Sequence, residues 1–261
     1  MRLAQSMRGD WDQRARKDTY FYIASWKRDW DDETFFRSGE EDYQRLVDPV
    51  LTQLGFATDG KRMLELGCGA GRMTRSFARR FGHVIASDVS PEMLDRGRRL
   101  NPQLTRVHWV LGNGTDLSAV STASVDFVFS YLVLQHLPAE RLILQYVAEM
   151  MRVLAADGLC VFQLNGTDDQ QMNWRGRATW GTINLLWTLR ARGMGRWMAD
   201  RLGLDPQMAG KTWHGVSIRM DRIVAAIHDN GGSVLQHRGE HTPMAWYCAK
   251  KHSGREEIGA P

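Results

Sequence analysis

Between positions 61 and 165, short runs that are apolar nearly throughout alternate with longer stretches whose apolar residues recur at helical spacing. RMLEL (62–66), HVIASD (83–88), RVHWVL (106–111), VDFVFS (125–130) and GLCVFQLN (158–165) are the short runs. A strand half exposed to water would alternate polar and apolar positions, so these runs predict strands covered on both faces. The stretches 72–81, 91–100 and 139–154 predict helices. The second carries its own start signal, Ser90 as N-cap, Pro91 at the first helical position and Glu92 behind it. Regular strand–helix alternation implies a parallel sheet with right-handed crossovers. A further helix is predicted over 217–229, ending at Asn230-Gly231-Gly232. SVLQHR (233–238) and MAWYCAK (244–250) then lie too close for a crossover helix, which predicts an antiparallel hairpin at the sheet edge.

Two segments fall outside this rhythm. Residues 1–60 are rich in aromatics, among them Trp11, Tyr20, Phe21, Tyr22, Trp26, Trp30, Phe35 and Phe36, and predict a helical cover. Residues 168–213 hold five of the ten tryptophans and predict an inserted cap. The expected organisation is therefore a cover over 1–60, a core over 61–167, the cap over 168–213, and a C-terminal helix with edge strands over 214–261.

The composition, 43% hydrophobic and 25% charged in 261 residues, is that of an ordinary globular chain and excludes disorder and fibre. A charged N-terminus without an apolar stretch, and the lack of any apolar run of membrane-spanning length, lead to the expectation of a cytoplasmic protein with neither leader nor stable membrane insertion. Cys68, Cys160 and Cys248 are odd in number and widely spaced, so free thiols are expected rather than a disulfide framework or a zinc site. The net charge of +4 is unevenly placed: residues 170–212 hold seven basic and two acidic side chains.

The chemistry starts at Glu65-Leu66-Gly67-Cys68-Gly69-Ala70-Gly71, where a strand turns into a helix. Alternate glycines let the backbone turn tightly and approach a ligand closely. A dinucleotide fingerprint would need glycine at position 72, where this chain has Arg72. Asp88 ends the second strand, where a carboxylate can accept both hydroxyls of a ribose. In chain order, ELGCGAG (65–71), SDVSPEML (87–94), LGNGTDL (111–117), SYLVLQHLP (130–138) and RVLAADGLCVF (152–162) resemble the successive motifs of class I S-adenosylmethionine-dependent methyltransferases.

That resemblance implies an α/β fold: a Rossmann-like, doubly wound, mostly parallel seven-stranded sheet of order 3-2-1-4-5-7-6, with the antiparallel hairpin at its edge. It also implies roles. Gly67, Gly69 and Gly71 would face the methionine part of S-adenosylmethionine, or of its product S-adenosylhomocysteine, with Glu65 organising the ammonium. Asp88 would hold the ribose, Val89 and Met93 would pack on the adenine, and Asn113 with Gly114 would read its edge. Ser130, at the end of the fourth strand, joins this set. The family more often has Asp at the position of Asn113, although an Asn carbonyl can also accept from the adenine amino group.

The sulfonium of such a cofactor activates its own methyl group, so alignment and desolvation are the main tasks left to the protein. For a hydroxyl acceptor a histidine could take the proton, and His136, just past the fourth strand, is the candidate base. His214 and His241 are alternatives; His83 and His108 fall in strands and read as structural. Tyr22, Trp180 and Trp187 are the candidate acceptor contacts. The turn Ser130-Tyr131-Leu132-Val133 lacks the Asn/Asp-Pro-Pro-aromatic pattern of enzymes that methylate base amines. Asp168-Asp169 is too little for a metal cluster, so no metal is expected. The expected activity is methyl transfer to a small organic acceptor, with oxygen favoured over nitrogen or carbon, and with no nucleic-acid partner. The alternatives are a non-catalytic module that binds the cofactor and acts through a partner, or a methyltransferase of lipids or nucleic acids. Trp180, Ile183, Trp187, Met194, Trp197 and Met198 recur near helical spacing beside Arg190, Arg192 and Arg196, which suits a stripe packed on its own protein, a lid over an apolar or aromatic substrate, or a surface for lipid or nucleic acid. Oligomeric state is not written in the sequence.

Overall fold

In the computed structural model, which describes residues 2–167, Arg201 and residues 211–253, seven strands form one sheet. They are β1 (Arg62–Leu66), β2 (His83–Asp88), β3 (Val107–Leu111), β4 (Val125–Ser130), β5 (Leu154–Leu164), β6 (Gly232–Arg238) and β7 (Ala245–Lys251). Their order is β3-β2-β1-β4-β5-β7-β6, the order implied by the resemblance. Strands β3 to β5 pair in parallel, while β7 runs antiparallel to both β5 and β6. The described helices are α1 (Arg2–Ile23), α2 (Asp32–Leu46), α3 (Asp48–Gln53), α4 (Thr74–Arg80), α5 (Pro91–Leu100), α6 (Glu140–Val153), α7 (Lys211–His214) and α8 (Met220–Asp229).

Side chains leave a strand alternately to its two faces, and here both faces are covered. Leu64, Val128, Cys160, Phe162 and Tyr247 pack with α6 and with Ile223 and Ile227 of α8. Met63, Phe127, Phe129, Val161 and Trp246 pack with Phe77 of α4, Phe81 just beyond it, and Tyr43 and Leu46 of α2. A core ring such as Phe77, fully buried, contributes roughly 1.5–3 kcal/mol by leaving water. The expectation of full burial does not hold for β3. At the sheet edge it leaves His108 exposed and Leu111 45% exposed, since only β2 flanks it.

Local chemistry accounts for the helix boundaries. Ser90 Oγ accepts from the N–H of Met93 at 3.1 Å with Pro91 behind it, so α5 begins where its sequence signal lies. Asp31 caps α2 in the same way, accepting from Thr34 N at 2.7 Å. Helix α1 is broken at Asp18, whose backbone is extended and whose carboxylate accepts from Phe21 N at 3.0 Å, restarting the helix for one more turn. Helices α4 and α8 begin two and three residues later than the periodicity suggests, because apolar spacing marks a face and not an end.

Beyond β5 the chain leaves the sheet at Asn165 and is back beside it by Ile218, whose N–H donates to the Asn165 carbonyl at 3.1 Å. The two ends of the intervening segment are thus tied to each other. Trp180 and Trp187 lie within it, outside the described residues.

Candidate active site

A cavity of about 530 Å³ opens over the C-terminal ends of the parallel strands. That size falls within the range of ordinary small-molecule sites. Its floor is the β1 turn and the ends of β2 and β4; α1, the 134–137 turn and α7 contribute to the wall.

The β1 turn has the shape its glycines predict. Gly67, Gly69 and Gly71 all have positive φ, at 77°, 55° and 85°. Gly67 also needs the space: a Cβ there would lie 2.1 Å from Val133 Cγ2. Gly67 and Gly69 line the cavity. Gly71 instead backs onto Trp109 and Asn101, where its missing side chain admits the indole.

Two carboxylates stand on this floor. Asp88 accepts from the N–H of Gly69 and the N–H of Ser90, each at 2.9 Å, and lines the cavity. Burial pushes its pKa up to about 6 in spite of those backbone donors. Glu65 is 5% exposed and accepts from Thr74 Oγ1 at 2.5 Å. Burial raises it to about 8, with Thr74 and the Arg72 charge pulling the other way. A carboxylate with this much withheld ionisation suits a site completed by a cation, since an ammonium beside it would favour the charged form. Arg72 itself is buried, ion-paired to Asp42 at 2.8 Å, and also reaches the cavity wall.

The adenine-side residues divide. Val89 and Met93 line the cavity. Asn113 does not: its Oδ1 accepts from Thr115 N at 2.8 Å and Asp116 N at 2.9 Å, and its Nδ2 donates to Asp116 and Ser118. The amide closes its own turn and has no group left over for a ligand edge. Asp116, from the same turn, stands on the cavity wall instead. Gly114, at φ +81°, lets α1 come close, for a Cβ there would sit 3.1 Å from Met7 Cε. Ser130 is fully buried and donates to the Leu66 carbonyl at 3.2 Å, tying β4 to β1 rather than facing the cavity. Its place on the wall is taken by Tyr131, Leu132 and Val133.

On the far side the wall is aromatic. Tyr22, Trp11, His136 and Trp213 meet edge to face or tilted, with Trp11 to His136 at 5.3 Å and Tyr22 to Trp213 at 5.9 Å. Burial and the nearby Arg14 charge lower His136 to about 4, so its ring is neutral at physiological pH. Both ring nitrogens are engaged: Nδ1 against the Trp213 carbonyl, Nε2 against the Gln135 amide at 3.3 Å. A base with its lone pair already held and a pKa this low is a weaker proton acceptor than its place after β4 suggests.

Helix α1 roofs the cavity through polar ties that the aromatic content of the first sixty residues does not announce. Arg8 donates to the Gly112 carbonyl at 3.0 Å, Asp12 accepts from Ser90, and Arg14, 1% exposed, donates to Thr212 Oγ1 at 3.2 Å and lies over the rings of Trp11 and Trp213. Trp11 was findable from spacing, since Ala4, Met7, Trp11 and Ala15 share one helix face. Pro243 and Met244, from the β6–β7 turn, also reach the wall and carry no sequence signal of a site. Among the described residues, three or more His, Cys, Asp or Glu side chains nowhere cluster as a metal site would require, and no helix is long and apolar enough to cross a membrane.

Comparison with known proteins places this geometry. Residues 64–162 match the family model of a methyltransferase domain. The chain is 33% identical over 122 residues to a malonyl-[acyl-carrier protein] O-methyltransferase of Serratia marcescens, covering 46% of this chain and 44% of the relative. It is 30% identical over 116 residues to phosphoethanolamine N-methyltransferase 1 of Zea mays, covering 44% and 23%. The chain thus spans less than half the length of either curated relative. In fold it is similar to the magnesium protoporphyrin IX methyltransferase of Synechocystis PCC 6803, solved with S-adenosylhomocysteine bound, at a TM-score of 0.58 and 16% identity over 95% of this chain and 99% of that one. The motif order, the strand order and the glycine cradle agree with that match, so residues 64–162 form a domain similar to the methyltransferase domain of the family model.

Proposed function

We propose that the protein transfers a methyl group from S-adenosylmethionine to a small organic acceptor, with an oxygen acceptor favoured. The observation that carries this is one continuous cavity that joins the Gly67–Gly69 cradle and Asp88 to the aromatic wall of Trp11, Tyr22, His136 and Trp213. The residues fit the cofactor: positive-φ glycines leave backbone room, the Asp88 carboxylate on the cavity wall suits ribose hydroxyls, and the buried Glu65 suits an ammonium. When bound, the cofactor supplies a methyl group already activated by its sulfonium.

What the chain contributes is placement. Asp88, Val89 and Met93 would hold the nucleoside, Glu65 the ammonium, and Tyr22 with the Trp11–Trp213 wall an apolar or aromatic acceptor. Holding two reactants in line can be worth roughly 7–11 kcal/mol in favourable cases. His136 is neutral, and a hydroxyl acceptor would take the place of Gln135 as the donor to Nε2. Trp180 and Trp187, the other candidate acceptor contacts, lie outside the described residues. The relatives methylate oxygen in one case and nitrogen in the other by their names, so the shared domain supports the transfer and not the atom.

Calorimetry with S-adenosylhomocysteine, followed by labelled methyl transfer into a small-molecule cell extract, tests the proposal. Binding with incorporation into a discrete metabolite is expected. Binding without incorporation into any small molecule would favour a non-catalytic module, and no binding at millimolar ligand would refute both.

A further inference from the structure

Gln163 is a polar side chain in the interior of β5, fully buried between apolar neighbours and outside the cavity lining. Its amide nevertheless reaches three pieces of the cavity wall. Oε1 accepts from the backbone N–H of Leu132 at 3.1 Å; Nε2 donates to Gln135 Oε1 at 2.9 Å and to the Pro243 carbonyl at 2.8 Å, and also touches its neighbour's carbonyl, Leu164 O, at 3.0 Å. Leu132, Gln135 and Pro243 all line the cavity.

The direction of each bond in this chain follows from its ends. A backbone N–H can only donate, so the atom of Gln163 facing Leu132 is the oxygen. Its NH2 group must then face Gln135, which turns the oxygen of Gln135 inward and its NH2 group toward His136. Nε2 of His136 is left as the acceptor, and Nδ1 carries the hydrogen that points at the Trp213 carbonyl. The Trp213 carbonyl, which can only accept, demands the same tautomer from the other end. Leu132 also has φ +57°, a left-handed conformation that is unfavourable for a non-glycine residue and needs support from its surroundings.

We infer that Gln163 is a positioning residue for the acceptor side of the cavity: one buried amide holds Leu132 in its left-handed turn, aims the Gln135 amide at His136, and anchors the Pro243 turn of β6–β7. It touches neither acceptor nor cofactor and acts through the residues that do. The naming of this wall as the acceptor side rests on the function proposed above; the relay itself does not.

The test compares Gln163→Leu, which removes every polar contact, with Gln163→Glu, which keeps the acceptor for Leu132 but not the NH2 group. Hydrogen exchange of the full chain would be read at the Leu132 amide and over 239–245. The same proteins would be titrated with S-adenosylhomocysteine and assayed for labelled methyl transfer into the small-molecule extract. The Leu variant should lose protection at Leu132 and over the turn, and the Glu variant should restore it at Leu132 alone. Both should bind S-adenosylhomocysteine within about threefold of the unmodified chain, because the cradle and Asp88 are untouched, while transfer falls at least tenfold. The inference is overturned if the Leu variant keeps Leu132 protected, or if the Glu variant transfers at the unmodified rate. Should the Leu variant fail to fold, the Glu variant decides alone: unchanged protection over 239–245 or transfer at the unmodified rate overturns the inference. Failure of the unmodified chain to bind S-adenosylhomocysteine would sink the proposed function and leave the exchange result to judge the relay.

Discussion

Gly67→Ala separates the two reasons for a glycine at the cradle when it is set against Gly60→Ala. Both positions have positive φ, 77° and 69°, so each alanine meets the same left-handed penalty of about 1–2 kcal/mol. Around Gly60 nothing lies within 4 Å of an added Cβ, and the backbone term stands alone. At Gly67 the new carbon would sit 2.1 Å from Val133 Cγ2, 2.9 Å from Cγ1 and 3.0 Å from Cβ. Rotating Val133 about χ1 cannot relieve a clash that includes its own Cβ, so the 131–134 turn or the end of β1 must move. Overpacking of this kind costs a further 1–3 kcal/mol or so, for a total of about 2–5 kcal/mol. Urea denaturation would give the stability difference, and calorimetry with S-adenosylhomocysteine its consequence for the site. Gly60→Ala should bind the ligand as well as the unmodified chain, while Gly67→Ala should bind it at least tenfold more weakly. If the two variants lose the same stability and both keep full affinity, the close approach of Val133 to the cradle is not what requires glycine at position 67.

Four further expectations concern charge and turn chemistry. With Asp88 raised to about 6, ligand affinity should fall as pH drops through that value, to about one-tenth at pH 5, as the proton blocks the ribose acceptor; a flat profile from pH 7.5 to 5 would exclude Asp88 as the ribose ligand. A raised carboxylate costs the unliganded fold stability as pH rises from its unfolded value through 6, so the unliganded chain should lose stability over that range, while Asp88→Asn, whose NH2 group would face the N–H of Gly69 or Ser90, should flatten that dependence and bind S-adenosylhomocysteine more weakly. Glu65, raised to about 8 and mostly protonated at pH 7, should release a proton when an ammonium docks beside it, seen as a dependence of the binding heat on buffer ionisation that Glu65→Gln abolishes; persistence of that dependence in the variant would place the proton elsewhere. Asn113→Ala should cost about 1–2 kcal/mol of stability through its lost turn bonds and change ligand affinity less than threefold, and a tenfold loss of affinity would show that the amide reads the adenine after all.

Motif order carried most of the fold and the cofactor half of the cavity, because strand burial, the Ser90 cap and the glycine turn are local effects written in consecutive residues. The acceptor half was less legible for the converse reason. His136 can be placed after β4 from sequence, but its held lone pair depends on Gln135 and Trp213, the latter 77 positions away. Asn113 and Ser130 occupy motif positions, yet what their side chains bond is settled by Asp116 and by the Leu66 carbonyl. Gln163 reads as one polar interruption in an apolar strand, and its importance shows only when β4, β5 and β7 lie side by side. Helix α1 reads as aromatic cover, whereas the ties that hold it are polar and long-range, Arg8 to Gly112 and Arg14 to Thr212.

The bond between Ile218 and Asn165 has a consequence for how such a protein can be diversified. A segment whose stem is closed by the scaffold on both sides, here also through Gly166 to Thr242 and Val216 to Leu137, can be exchanged as a cassette. Loop-closure entropy grows so slowly that doubling the length between fixed ends adds only about 0.6 kcal/mol. Grafting the corresponding stretch from a relative between Thr167 and Lys211, which leaves Thr212 and Trp213 under α1, should therefore change which acceptors are taken while the half of the cavity built before Leu164 keeps its affinity for S-adenosylhomocysteine.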